Sequence, residues 1–201
     1  VVIMVSNQTG IEVGLLAGKY PGRIGHLYSP GGQRGPWPEI PYALDNGAWG
    51  AFKNHRPWDE PAWRNLLTWA AMSGVRPLWA VVPDVVGDRD GTLAAWDKYA
   101  PTVRACGFRP AFALQDGMTF GDVPDADCML FVGGGTAWKV AAIPAWCPAF
   151  PGRVHVARVT TWRRLVASWR AGAVSVDGTG FFHRVGSQAS DLRKFLRETT
   201  K

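Results

Sequence analysis

The stretch RVHVARVTTWRRLVASWRAGAVSVDG, residues 153–178, reads as strand, helix, strand. RVHVARV (153–159) and AVSVDG (173–178) are short apolar runs rich in β-branched residues, as buried strands are. Between them Trp162, Leu165, Val166 and Trp169 recur at the i, i+3, i+4, i+7 spacing of one helix face, with Thr160 or Thr161 as starting cap and Gly172 as stop. Two such strands joined by a helix lie parallel in one sheet with a right-handed crossover.

Working outward, the same unit recurs. Apolar runs closing on Gly, Asp or Asn stand at 1–6 (VVIMVS), 42–47 (YALDNG), 77–84 (PLWAVVPD), 110–117 (PAFALQDG) and 128–135 (CMLFVGGG), which with 153–159 and 173–178 makes seven strand candidates. A second helix is predicted from Asp59, a good N-cap, with Pro61 in its first turn, Trp63, Leu66, Leu67 and Ala70 on one face, and an end at Gly74. Further helices are predicted over 92–105, 136–143 and 188–198, the last with Leu192, Phe195 and Leu196 inward. Strand and helix alternate, so the expected class is α/β: a compact or incomplete (β/α)8 TIM-type barrel, because seven strands are one short of eight and 201 residues is near the lower limit for that fold. An open, doubly wound parallel sheet is the alternative. The Gly- and Pro-dense segment 18–41, GKYPGRIGHLYSPGGQRGPWPEIP, reads as one long loop.

With 47% hydrophobic residues, the chain 1–201 is expected to form one domain around one core, filled in large part by its 11 Trp, 9 Phe and 4 Tyr. The net charge is +6, from 22 Lys and Arg against 16 Asp and Glu, so a polyanion such as nucleic acid is attracted. Arg163, Arg164, Arg170, Arg193, Lys194, Arg197 and Lys201 also read as solvated helix faces. Three scattered cysteines without a CxxC pair speak against a disulfide framework and a structural zinc site, and fit a reducing cytoplasm. No apolar run has membrane-spanning length, so neither a membrane partner nor secretion is expected.

In either parallel architecture the ligand site lies at the C-terminal strand ends. Those ends carry Asp45-Asn46-Gly47, Pro83-Asp84, Gln115-Asp116-Gly117, Gly133-Gly134-Gly135 and Asp177-Gly178. One Asp closing a strand is commonly a cap or turn former. Several facing one pocket can divide nucleophile and acid/base roles. The triple Gly lets backbone N–H groups approach a ligand oxygen but lacks the spacing of a dinucleotide or P-loop motif. Lys139 reads as a surface or phosphate contact, His155 as a satisfied core residue, Arg158 as core or phosphate contact, and Trp49 as core packing or as a ring that stacks on a base.

The ordered succession LDNGAWG, PDVVGD, LQDG, VGGG and SVDG over about residues 42–180 resembles the tRNA-guanine transglycosylases, and is most similar to their short DNA-directed, phage-type relatives that insert 7-deazaguanine bases (the DpdA type). The resemblance implies Asp177 as the nucleophile at C1′ and Asp45 as the acid/base aspartate. It implies Asp84 as the reader of the N1–H and 2-amino edge of guanine, and Gln115 with a backbone N–H of Gly133 or Gly134 near O6. A guanine edge, with donors at N1 and N2 and an acceptor at O6, suits such a set of carboxylate, amide and N–H groups. His155 falls on the family's histidine-bearing strand. The zinc-binding Cys and His cluster of the tRNA enzymes has no counterpart in this sequence, so the implied polymer is DNA rather than tRNA and the implied second substrate a preQ0-like base, with no cofactor or metal. A nucleoside or base hydrolase using the same pocket, and a non-catalytic basic nucleic-acid-binding module, stand as alternatives.

Overall fold

Strands that are apolar throughout, rather than alternately apolar and polar, are strands covered on both faces. The computed structural model describes residues 1–7, 10–182 and 187–199, and in it such strands close into a barrel. Eight parallel strands pair in chain order: β1 (Val2–Ser6), β2 (Ile24–Tyr28), β3 (Tyr42–Leu44), β4 (Ala80–Val81), β5 (Pro110–Leu114), β6 (Met129–Val132), β7 (Val154–Val156) and β8 (Ser175–Asp177), with β8 returning to β1. The helices are α1 (Ile11–Lys19), α2 (Ala48–Lys53), α3 (Glu60–Met72), α4 (Arg89–Ala105), α5 (Thr136–Ala149), α6 (Trp162–Ala171) and α7 (Ser187–Thr199). The fold is a closed α/β TIM-type barrel, and the open sheet is excluded.

Along each strand successive side chains serve two different cores. Met4, Leu27, Ala43, Trp79, Val81, Ala111, Ala113 and Met129 fill the barrel interior. Their neighbours, among them Ile3, Val5, Tyr28, Leu44, Phe112, Leu130 and Val176, pack outward under the helices. The predicted caps appear where the sequence places them. Asp59 accepts from Ala62 N–H at 2.9 Å to start α3, Thr161 accepts from Arg164 N–H to start α6, and Gly172 ends α6 at φ 94°.

The eighth strand lies inside the segment read as a loop. All five residues of β2, Ile24-Gly25-His26-Leu27-Tyr28, are buried. They are hidden in the sequence because a glycine and a histidine interrupt the apolar run, and Gly and Pro flank it. Gly25 is required by crowding: a Cβ there would lie 2.7 Å from Pro41 O and 3.1 Å from Val2 Cγ1. Helix α5 also runs six residues past the predicted 143, through Pro144 and Pro148, because Trp146 and Cys147 are buried against the core. Two helices, α1 and α2, were not expected from the sequence.

Trp79 is 2% exposed in the barrel interior, edge-on to Phe131 (centroids 5.9 Å apart) and to His155 (4.9 Å). Trp79→Ala would empty the middle of the barrel and is expected to cost about 3–5 kcal/mol of unfolding free energy. Denaturant titration at unchanged m measures it, and a loss below about 1 kcal/mol would mean that this ring does not fill the interior.

Candidate active site

At the C-terminal mouth of the barrel, where the strands hand over to irregular backbone, lies a cavity of about 1150 Å³. Asp45, Asp84, Gln115, Gly133, Gly134 and Asp177 all line it, although they come from five different strand ends.

Asp177 is the last residue of β8, in register with Met4 of β1. Its backbone is held on both sides: its carbonyl accepts from Val159 N–H at 2.7 Å, and Gly178 N–H donates to Met4 O at 3.1 Å. Gly178 has to be glycine, since a Cβ would lie 2.0 Å from Val159 O. Asp177 is 6% exposed, and its carboxylate takes two contacts on the same oxygen, Oδ1: Arg158 N–H at 3.0 Å and His155 Nε2 at 3.1 Å. The other oxygen, Oδ2, has no hydrogen-bond partner among the described residues. His155 is fully buried, its Nδ1 2.8 Å from Ser175 Oγ and its ring stacked on Phe131. It is thus a core residue that also orients the aspartate.

Asp45 follows β3 and accepts a hydrogen bond on Oδ2 from the Ser29 hydroxyl at 2.9 Å. Burial pushes its carboxyl up to about 6 from an ordinary 3.8; the Ser29 hydroxyl opposes the rise, and the nearby charges of Asp177 and Asp84 add to it. Asp84 receives two amide N–H groups, Asn46 Nδ2 at 2.6 Å and Gln115 Nε2 at 2.8 Å. Burial raises its carboxyl as well, and these two amides oppose the rise. Gln115 accepts from Gly87 N–H at 3.0 Å through its own carbonyl, so its amide is engaged at both ends and holds Asp84 in place. Asn46 also donates to Val82 O and accepts from Ala48 N–H, which fixes it rigidly under Asp84.

Sequence reasoning missed Ser29 and Asn46 as site residues. Asn46 had a signal, its place beside Asp45 in LDNG; Ser29 lay in the presumed loop and had none. The glycine run is also partly occupied. Gly134 N–H donates to Leu114 O at 3.1 Å and Gly135 N–H to Asp116, while the carbonyls of Gly133 and Gly134 accept from the Arg158 guanidinium.

Three sequence expectations need correction. Lys139 is not a surface residue: it is 2% exposed, and its ammonium donates to Ala157 O at 2.5 Å, with burial lowering its pKa to about 8. It anchors the peptide just before Arg158. Trp49 is not core packing but stands 42% exposed on the rim, with the Arg158 guanidinium 3.9 Å from its ring centroid. Arg158 is half-buried, and its contacts go to Trp49 and two carbonyls. Of the basic residues read as solvated, Arg193 pairs with Glu12 of α1, and Lys201 lies outside the described residues. Among the described residues no group of three or more His, Cys, Asp or Glu is arranged to hold a metal ion, and no helix is long and apolar enough to cross a membrane.

No protein-family model matches the chain, and no curated protein matches it. Solved structures do. One described as native KDPGal aligns at TM-score 0.54 with 14% identity, over 99% of this chain and 95% of that one. A putative fructose-1,6-biphosphate aldolase from Coccidioides immitis aligns at TM-score 0.50 with 11% identity, over 98% and 87%. At such identities the likeness is one of fold, a TIM-type barrel of nearly the same extent.

The raised Asp45 carboxyl makes a stability prediction. With a folded value of about 6 against an unfolded value near 3.8, ionised Asp45 destabilises the fold. The penalty is absent below about pH 3.8, grows as pH rises, and is complete above about pH 6. Asp45→Asn is therefore expected to be more stable than the parent at pH 7, by up to about 3 kcal/mol, with the gain vanishing toward pH 4. Chemical denaturation at both pH values tests this; a variant less stable at pH 7 would show that the carboxylate is well supported.

Proposed function

We propose that this chain is a nucleic-acid guanine transglycosylase, which replaces guanine by a 7-deazaguanine base, in DNA rather than tRNA, through a covalent ester between Asp177 and C1′. The observation that supports it most is the unequal pair of carboxylates in one cavity. Asp177 has one oxygen pinned and one open, whereas Asp45 is held near 6, where it can both give and take a proton at neutral pH. The succession of motifs in the sequence supplies the substrate class.

In this reading Asp177 Oδ2 attacks C1′ as the C1′–N9 bond breaks. The bonding electrons leave with the base, and protonated Asp45 delivers its proton to the departing guanine. The incoming base then loses its N9 proton to the Asp45 carboxylate, its nitrogen attacks C1′, and the ester bond returns its electrons to Asp177. Asp84, aimed by Asn46 and Gln115, accepts from the N1–H and 2-amino groups of either base. Water in place of the second base would make the protein a hydrolase, and no turnover would make it a binding module; nucleoside analysis of the product polymer separates all three.

Asp177→Asn should fold, bind nucleic acid and form no denaturation-resistant adduct with labelled oligonucleotide, because an amide is a poor nucleophile. Asp45→Asn should still be open to attack at C1′ but slow exchange by about 10²–10⁴-fold, the usual effect of losing a general acid or base. A normal adduct yield with Asp177→Asn would overturn the nucleophile assignment.

A further inference from the structure

A polymer whose C1′ reaches Asp177 has to leave the cavity across its rim, so the rim decides what sort of strand can be accommodated. Residues 48–58, AWGAFKNHRPW, form one stretch of that rim and contain no acidic residue. Trp49 (42% exposed) and Phe52 (56%) stand together on α2, ring centroids 5.8 Å apart and planes tilted by 31°. Neither ring belongs to either hydrophobic core cluster. Lys53 and Arg56 are exposed beside them, and Trp49 and Arg56 line the cavity itself.

The turn that presents Arg56 is well defined. Asn54 Nδ2 donates to Gly50 O at 2.8 Å, Arg56 N–H donates to Ala51 O at 2.9 Å, and His55 adopts the left-handed conformation at φ 52°. Exposed rings interleaved with cations, continuous with a cavity, form the combination that holds unpaired bases and their backbone; in a duplex the base faces are stacked and cannot reach such rings.

We propose that α2 and the turn after it form a stacking platform for an unpaired nucleic-acid strand, with Trp49 and Phe52 taking bases and Lys53 and Arg56 taking phosphates beside the nucleotide held in the cavity. The inference rests on the transglycosylase reading for its class of partner, and adds the surface and the unpaired state of the strand.

The test is fluorescence anisotropy over a range of salt, using a labelled single-stranded oligodeoxynucleotide and the corresponding duplex. Trp49→Ala and Phe52→Ala are each expected to weaken single-strand binding roughly 5- to 100-fold, and Trp49→Phe to retain most of it. Lys53→Gln with Arg56→Gln should flatten the salt dependence, by about 0.7 in log–log slope for each phosphate that is no longer neutralised. Phe52, Lys53 and Arg56 are exposed, so these variants should melt like the parent. Parental single-strand affinity and salt slope in the Phe52 and Lys53/Arg56 variants would overturn the platform, as would tighter binding of the duplex than of the single strand. Base exchange assayed in parallel keeps the two ideas apart. Strand binding that depends on α2 without any exchange would sink the catalytic reading and leave the platform standing. Exchange at parental KM in the platform variants would sink the platform alone.

Discussion

Barrel closure at the β8–β1 seam is the constraint from which the geometry of the mouth follows. Strand β8 has only three residues, and β7 has three. Both are too short to hold a register by themselves, so the register comes from being bonded on both sides within a closed ring. Asp177 is the last paired residue, and its peptide is clamped between Met4 on one side and Val159 on the other. Its side chain therefore sits where a strand end puts it rather than where a loop happens to lie. Closure also explains why the interior accepts His155 and Ser175: the top layer of the barrel is where apolar filling gives way to groups that hold the carboxylate.

Three carboxylates face one partly apolar cavity, and they differ in how each is supported. Asp84 has two amide donors. Asp177 has a main-chain N–H and an imidazole on one oxygen. Asp45 is lifted to about 6 chiefly by burial, with the charges of the other two carboxylates adding to the rise and the Ser29 hydroxyl and the Asn46 main-chain N–H opposing it. In the proposed reading these differences divide the work: a carboxylate fixed by two amides suits recognition, and one raised by burial toward neutral pH suits proton transfer. Gln115 lacks a charge but matters to this division, because its amide bridges Asp84 and Gly87 and leaves neither end loose.

Much of the fold and part of the site are legible in the sequence, for identifiable reasons. Strand ends show themselves because a strand covered on both faces is an unbroken apolar run, and the first polar residue after it marks the mouth. Asp45, Asp84, Gln115 and Asp177 were found that way and line one cavity. Strand β2 escaped because Gly25 and His26 break the apolar run at a place where crowding against Pro41 excludes a larger residue. Ser29, just beyond it, escaped with it. Lys139 was misread because a charge on a helix is usually solvated; here its ammonium reaches Ala157 O across the interface of α5 and β7. Trp49 is the opposite case: a large ring is usually interior, and of its two readings the exposed position excludes core packing.

Arg158 shows how these parts are coupled. It adopts φ 55°, a left-handed conformation that costs a non-glycine residue on the order of 1 kcal/mol or more and persists only where its surroundings impose it. Lys139 fixes the carbonyl immediately before it, and the left-handed turn aims the Arg158 N–H at Asp177 Oδ1. A glycine would adopt this turn without strain and could make the same backbone bond. The side chain is the part a glycine would lack: its guanidinium bonds the carbonyls of Gly133 and Gly134 and lies over the Trp49 ring. One residue thus ties the carboxylate at the end of β8 to the glycine strand end of β6 and to the aromatic rim on α2. The strain at Arg158 is offset by the contacts that its side chain makes on both sides of the mouth.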